Sequence, residues 1–218
     1  PITLPAQTAF RDAIQVRSAG GWDEGSGHSC ALLRSGQVRC WGSNRYGQLG
    51  DGTTIDRTAG VGPVGLTGAV AISVGNQHSC ALLENGDVAC WGSNILGRLG
   101  DGTETQRSVP TPVSGIQGTA VAITTGDYHS CALHSDGTGS CWGSNLKGEL
   151  GNDGAGNFSL IPVPVLAPDT RFVVIDGGGS STCGITSTRE VRCWGNNVAG
   201  QFGDGTFVDK PTPVPVIG

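Results

Sequence analysis

Four stretches of this chain repeat one another, and that repetition limits the fold more than any single motif does. HSCALLRSGQVRCWGSNRYGQLGDGT runs from His28 to Thr53. It returns as HSCALLENGDVACWGSNILGRLGDGT from His78, as HSCALHSDGTGSCWGSNLKGELGNDG from His129 and, more loosely, as STCGITSTREVRCWGNNVAGQFGDGT from Ser181. The leading cysteines Cys30, Cys80, Cys131 and Cys183 are 50, 51 and 52 residues apart. A period of this length marks a propeller blade or a solenoid turn. Four copies of one unit make a single array the simplest organisation for 218 residues. We therefore read one repeat domain over 1–218, with units at about 12–64, 65–114, 115–166 and 167–218.

The repeat opens with a hairpin. The apolar run Cys30 to Leu33 and the run Gln37 to Trp41 flank Arg34, Ser35 and Gly36. A three-residue hairpin loop needs a left-handed residue at its third position, and Gly stands there in Arg34-Ser35-Gly36, Glu84-Asn85-Gly86 and Ser135-Asp136-Gly137. That register sets residue 33 opposite 37, 32 opposite 38 and 30 opposite 40. Cys30 then faces Cys40 at a non-hydrogen-bonded pair, within reach of a disulfide. The same pairing applies to Cys80 with Cys90, Cys131 with Cys141 and Cys183 with Cys193. Cys30, Leu32, Val38 and Cys40 share one face, which calls for a second sheet against it. Gly139 replaces the Val of the third unit and Arg189 takes the loop-glycine position of the fourth, so these two units are expected to be the less regular ones. Zinc is the rival reading for the cysteines: His28 precedes Cys30 by two residues and shares its face, giving a His, Cys, Cys trio. Ser181 in place of His in the fourth unit favours the disulfide.

After the hairpin each unit runs through Cys-Trp-Gly, a glycine-rich turn and a proline-containing stretch such as Ser108 to Val113. Proline among alternating Val suits an outer, edge-type strand. An AIQV-like strand at Ala13 to Val16 precedes the first unit, and AISV and AITT precede the next two. Each unit thus holds about four short strands in fifty residues, the content of a propeller blade. The fold class is all-β, with blades of four antiparallel strands. Gly at 38 and Pro at 11, spread evenly between apolar runs, agree with many turns.

From Gly75 to Gly100 the order of Gly, His-Ser, aliphatic strand, Gly turn, Trp-Gly-x-Asn and Gly-x-Leu-Gly resembles the regulator of chromosome condensation repeat. The resemblance covers nearly the whole chain and implies a propeller, usually of seven blades, where four units are present here. Members of that family include a guanine-nucleotide exchange factor on chromatin, a plant ultraviolet photoreceptor and a secreted bacterial inhibitor of β-lactamases. The paired cysteines are similar to those of the bacterial secreted type.

Fold alone does not choose a function. The net charge is -5 and only Lys147 and Lys210 represent lysine, so a nucleic-acid or anionic-membrane surface is not expected. No apolar run reaches the roughly 20 residues of a membrane-spanning helix. The chain begins at Pro1 and contains no Met, which reads as a processed or excised segment. Four disulfides point to an oxidising, extracellular or cell-surface location. His28-Ser29 and its repeats do not form a catalytic pair, because consecutive strand residues point to opposite faces. Asp51, Asp101 and Asp204 read as turn residues, since one carboxylate per turn is too few for calcium. No catalytic, metal or cofactor site is expected. Trp41, Trp91, Trp142 and Trp194 read as blade packing. Trp22 is in no other unit; with Asp23 and Glu24 it forms an insertion, Gly21 to Gly25, expected to contact a protein or other macromolecular partner, the alternative being a Trp folded down onto its own blade. Asn157-Phe158-Ser159 fits a glycosylation acceptor. Two rival readings are a self-assembling surface or filament component, and a carbohydrate-active enzyme, for which the sequence shows no unrepeated cluster of His and carboxylates.

Overall fold

A computed structural model describes residues 10–20 and 27–218. Sixteen strands form four antiparallel sheets of four strands each, and each sheet is built from consecutive strands. The first sheet comprises β1 (Ala13–Ala19), β2 (His28–Leu33), β3 (Val38–Gly42) and β4 (Arg57–Val61). The second has β5 (Ala69–Val74), β6 (His78–Leu83), β7 (Val88–Gly92) and β8 (Arg107–Pro112). In the third are β9 (Ala120–Thr125), β10 (His129–His134), β11 (Gly139–Ser144) and β12 (Phe158–Pro164), and in the fourth β13 (Phe172–Gly178), β14 (Ser181–Thr186), β15 (Val191–Gly195) and β16 (Lys210–Pro215). First strands of successive blades are neighbours, so β1, β5, β9 and β13 form the inner side of the array. The outer strands β8, β12 and β16 carry the prolines, at the edge where missing donors are tolerated.

The central hairpin has one register in every blade. Cys30 pairs with Cys40, Cys80 with Cys90, Cys131 with Cys141 and Cys183 with Cys193. All four pairs are disulfide-bonded with Cα atoms 4.0 to 4.1 Å apart. Oxidised sulfurs cannot ligate zinc, and no cluster of three or more metal-binding side chains occurs among the described residues. Contrary to expectation, blades three and four keep the hairpin geometry. The loop residue that is Gly36, Gly86 or Gly137 elsewhere is Arg189 here, and it takes the same left-handed conformation at φ 68°. At Gly139 the absent side chain is replaced by Val165 and Ile175, which close over the position.

The array has no single core. Three apolar clusters lie between blades, each made from one blade's disulfide face and the next blade's inner strand and Trp. Cys30, Leu32, Val38 and Cys40 meet Ile72, Val74, Ala81 and Trp91. Cys80, Leu82, Val88 and Cys90 meet Ala120, Ala132 and Trp142, and Cys131, Leu133 and Cys141 meet Phe172, Ile175 and Trp194. The second sheet that the apolar face demanded is thus the next blade. A blade buries its core only by stacking, the rule for repeat arrays. No helix among the described residues is long and apolar enough to cross a membrane.

With every cysteine bonded, alkylation of the native chain is expected to leave its mass unchanged, and eight adducts should appear only after reduction. Replacing Cys80 and Cys90 together by Ala should lower the unfolding free energy by about 3 kcal/mol, the loop-closure value for so short a ring, read by urea titration.

Candidate binding surfaces and the seams between blades

Among the described residues, the seams hold buried networks of side-chain hydrogen bonds. Ser79 Oγ and Trp91 Nε1, both from the second blade, donate to the main-chain carbonyl of Gln48 in the first, each at 2.9 Å. Thr182 Oγ1 at 3.0 Å and Trp194 Nε1 at 2.9 Å do the same to the Glu149 carbonyl. Ser130 Oγ reaches the Arg98 carbonyl at 2.9 Å. Each hydroxyl also meets the histidine of the preceding blade: His28 Nε2 lies 2.8 Å from Ser79 Oγ, and His78 and His129 lie 2.9 Å from Ser130 Oγ and Thr182 Oγ1.

The protons in this chain can be assigned. A hydroxyl has one hydrogen, and here it goes to a carbonyl that can only accept, so the imidazole Nε2 must donate to the hydroxyl. That fixes the Nε2–H tautomer and leaves Nδ1 unprotonated. The Nδ1 atoms of His28, His78 and His129 are buried without a partner among the described residues. Burial pushes the His28 pKa down to about 3 and that of His129 to about 4. It holds His78 well below the usual imidazole range, with Arg98 adding to the effect. Two of the rings press against glycine: a Cβ at Gly75 or Gly126 would collide with His78 or His129. These contacts make a buried structural latch, because the hydroxyl is committed to a carbonyl and shielded from solvent. His and Ser of one unit do point apart, as their sequence adjacency requires. The pairing across units, 51 to 53 residues away, escaped that local reading.

The side chain whose carbonyl forms the latch varies. Gln48 Oε1 and Glu149 Oε2 accept from the amides two residues earlier, those of Tyr46 and Lys147. Arg98 cannot accept, and Glu104 Oε1 takes the corresponding amide of Leu96 at 3.2 Å. Arg98 instead donates to the Ile95 and Asp127 carbonyls and lies 4.5 Å from the Tyr128 ring centroid. Burial lowers its pKa to about 10.

The turns behave as expected. Asn44 Nδ2 bridges Asp51, Thr53 and Ile55, and Asp51 pairs with Arg57 at 2.7 Å. Asn94, Asp101 and Arg107 repeat this, as do Asn197 and Asp204 with Lys210. Hydrogen bonds from Thr53, Arg57 and Asn44 outweigh desolvation and hold the Asp51 carboxyl below the usual range. Every Asp oxygen with a recorded contact here serves the turn.

Solvent-facing features are fewer. In every blade the first strand carries a bulge at the same place, and the extra residues are Ile14, Val70, Val121 and Val173. Bulges re-aim side chains. These four are 53%, 48%, 50% and 57% exposed. Ile14 and Val70 flank a cleft of about 500 Å³ between the first two blades. Val121 and Val173 flank one of about 390 Å³ between the last two, which His134, Asp136 and Arg171 also line. In that cleft His134 Nε2 lies 2.9 Å from Ser140 Oγ, while Asp136 is engaged by Thr138 and does not orient the ring. Trp22, Asp23 and Glu24 lie outside the described residues. Asn157 is exposed.

Each blade contains a segment that a family model matches. The model of the regulator of chromosome condensation (RCC1) repeat matches residues 25–48, 69–98, 120–149 and 172–201, and a second model of the same repeat matches 85–133. The chain belongs to the RCC1 repeat family. Among relatives, the ultraviolet-B receptor UVR8 of Arabidopsis thaliana is 33% identical over 216 residues, which are 96% of this chain and 48% of UVR8. The mitochondrial RCC1 domain-containing protein RUG3 of the same plant is 36% identical over 110 residues, 49% of this chain and 24% of RUG3. Prp20p of Saccharomyces cerevisiae superposes with a TM-score of 0.82 at 20% identity, over 96% of this chain and 52% of Prp20p. Human WBSCR16 gives 0.81 at 24% identity, over 94% and 53%. The RCC1 array described here therefore spans about half the length of these propellers or less.

Because the folded-state pKa of each latch histidine is depressed, the unfolded state takes up its proton first. Their stabilisation is fully present above the unfolded pKa of 6.5 and is lost as pH falls toward 3 to 4. Urea midpoints should fall steadily from pH 7 to pH 4, each histidine contributing at most ~1.4 kcal/mol per pH unit. His78→Gln, which can still donate to Ser130 but does not titrate, should flatten that dependence.

Proposed function

We propose that this RCC1 array is an extracellular, disulfide-stapled scaffold that binds a protein or other macromolecule and carries out no chemistry of its own. The bulge residues support this most directly. Ile14, Val70, Val121 and Val173 stand half in solvent along one rim, one per blade, beside two clefts. Four aliphatic side chains kept out of the core at one repeat position form the kind of apolar patch that marks a docking surface. Disulfides in every blade favour an oxidising compartment. Relatives of this fold are described as protein binders: Prp20p through its binding of Gsp1p and histones, and again in a complex with Kap60. The acidic balance of this chain separates it from a nucleic-acid surface. The Trp22 insertion, with Asp23 and Glu24, supplies a second, unrepeated contact in this reading.

Val70→Glu with Val121→Glu should weaken binding of an isolated extracellular partner at least tenfold, and Trp22→Ala should weaken it by a smaller factor, both by surface plasmon resonance. Affinity unchanged in both variants would overturn the reading.

A further inference from the structure

The turn between β11 and β12 in the third blade leaves an asparagine without a task. In the first and fourth blades the residue twelve positions after the leading turn asparagine is an aspartate, and its carboxylate receives that asparagine's amide. Asp56 Oδ1 accepts from the Asn44 amide at 2.7 Å, and Asp209 Oδ1 from the Asn197 amide at 2.8 Å. Asn157 stands at the same count from Asn145, but its main-chain carbonyl accepts the Asn145 amide, at 2.8 Å. The Asn157 side chain is thereby released. The neighbouring ion pair is replaced as well: Ser159 lies opposite Gly143, where Arg57 lies opposite Gly42 and reaches across the turn to Asp51.

Asparagines elsewhere are occupied. Those that lead the four turns spend Nδ2 on the turn, Asn85, Asn152 and Asn196 are bonded locally, and Asn76 is buried. Asn157 is exposed and makes no side-chain hydrogen bond among the described residues. Around it Asp153, Gly154, Gly156 and Phe158 are exposed too, and the two glycines leave the surface open. Asn157 is also the one asparagine of the chain with Ser or Thr two places on, the acceptor pattern for N-glycosylation.

We propose that Asn157 is an N-glycan acceptor, and that the third-blade turn is built so that the folded array carries the glycan without losing a contact. This rests on the extracellular reading given above. The co-substrate is an oligosaccharide joined through its anomeric carbon to a polyprenyl pyrophosphate. Asn157 Nδ2 forms the new C–N bond to that carbon, the carbon–oxygen bond to the pyrophosphate breaks, the pyrophosphate leaves with the electron pair, and a base of the transferring enzyme takes the amide proton. In the folded chain Ser159 Oγ is committed to the Ile161 carbonyl at 2.7 Å, so transfer precedes the docking of β12.

Produced behind a secretion signal in cultured animal cells, the 218-residue chain should carry one N-glycan. Peptide-N-glycosidase should return it to the polypeptide mass with one asparagine converted to aspartate. Asn157→Gln and Ser159→Ala should each abolish the modification, and Ser159→Thr should keep it. The urea midpoint should be the same before and after deglycosylation. Secreted, fully disulfide-bonded chain without a glycan would overturn the proposal and leave the extracellular reading standing, and a glycan that lowers the urea midpoint would overturn the claim that the turn accommodates it. A glycosylated chain with eight reactive cysteines would instead sink the extracellular reading. Since transfer precedes folding, chain retained in the cells is read by the same digestion, and a variant that misfolds still reports.

Discussion

The array depends on one main-chain atom per seam. The carbonyl oxygens of Gln48, Arg98 and Glu149 each receive a hydroxyl from the following blade, and two of them also receive an indole. A net hydrogen bond of this kind contributes about 1 kcal/mol, but a buried donor left without its acceptor costs about 1–3 kcal/mol. The geometry is therefore enforced more strongly than it is rewarded. From that oxygen outward, the hydroxyl fixes the histidine tautomer, the His78 and His129 rings require glycine beside them, and the seated Trp fills the apolar cluster behind. The disulfide holds the two hairpin strands that present the cluster's other wall.

What could be read from the sequence was whatever lies within one hairpin. Cys30 and Cys40 are ten residues apart with a glycine turn between them, so register follows from turn chemistry and alternation. The same arithmetic placed Leu32 and Val38 on one face and identified the turn role of Asp51. Features joining residues some fifty positions apart were hidden. Nothing near His28 announces Ser79, and the docking of Trp91 under Gln48 has no local signature. The bulges were missed for another reason: Ala-Val and Ala-Ile at the start of an alternating strand look like ordinary strand residues, and only the partner strand reveals the extra one. Blades three and four were expected to deviate because two consensus positions changed. Arg189 accepts the left-handed conformation, and the two neighbours that close over Gly139 come from the outer arm and the next blade.

The same asymmetry separates fold from function. Repeated residues build seams and turns, and their repetition is why the family is recognisable from motif alone. The residues that could select a partner sit where repeats differ or where a bulge lifts a side chain away from the core. The His134 and Ser140 contact illustrates the limit of reading chemistry from residue types, because a hydroxyl beside an imidazole lacks a third group to orient it.

The main-chain character of the latch has a further consequence for how blades keep their order. An acceptor belonging to the backbone is the same at every seam, whatever side chain the residue bears, which is how Gln, Arg and Glu can alternate there. Its hydroxyl-to-carbonyl bond is common to all three seams, while the indole bond is added at the Gln48 and Glu149 seams. Identity must then be written elsewhere, in contacts that differ from seam to seam: Gln15 with the Ile72 amide, Ser73 with Thr125, Thr124 with Asp176. The inner strands would act as the address of each blade and the carbonyl latch as its uniform fastening, so duplicated units could diverge in sequence without exchanging places.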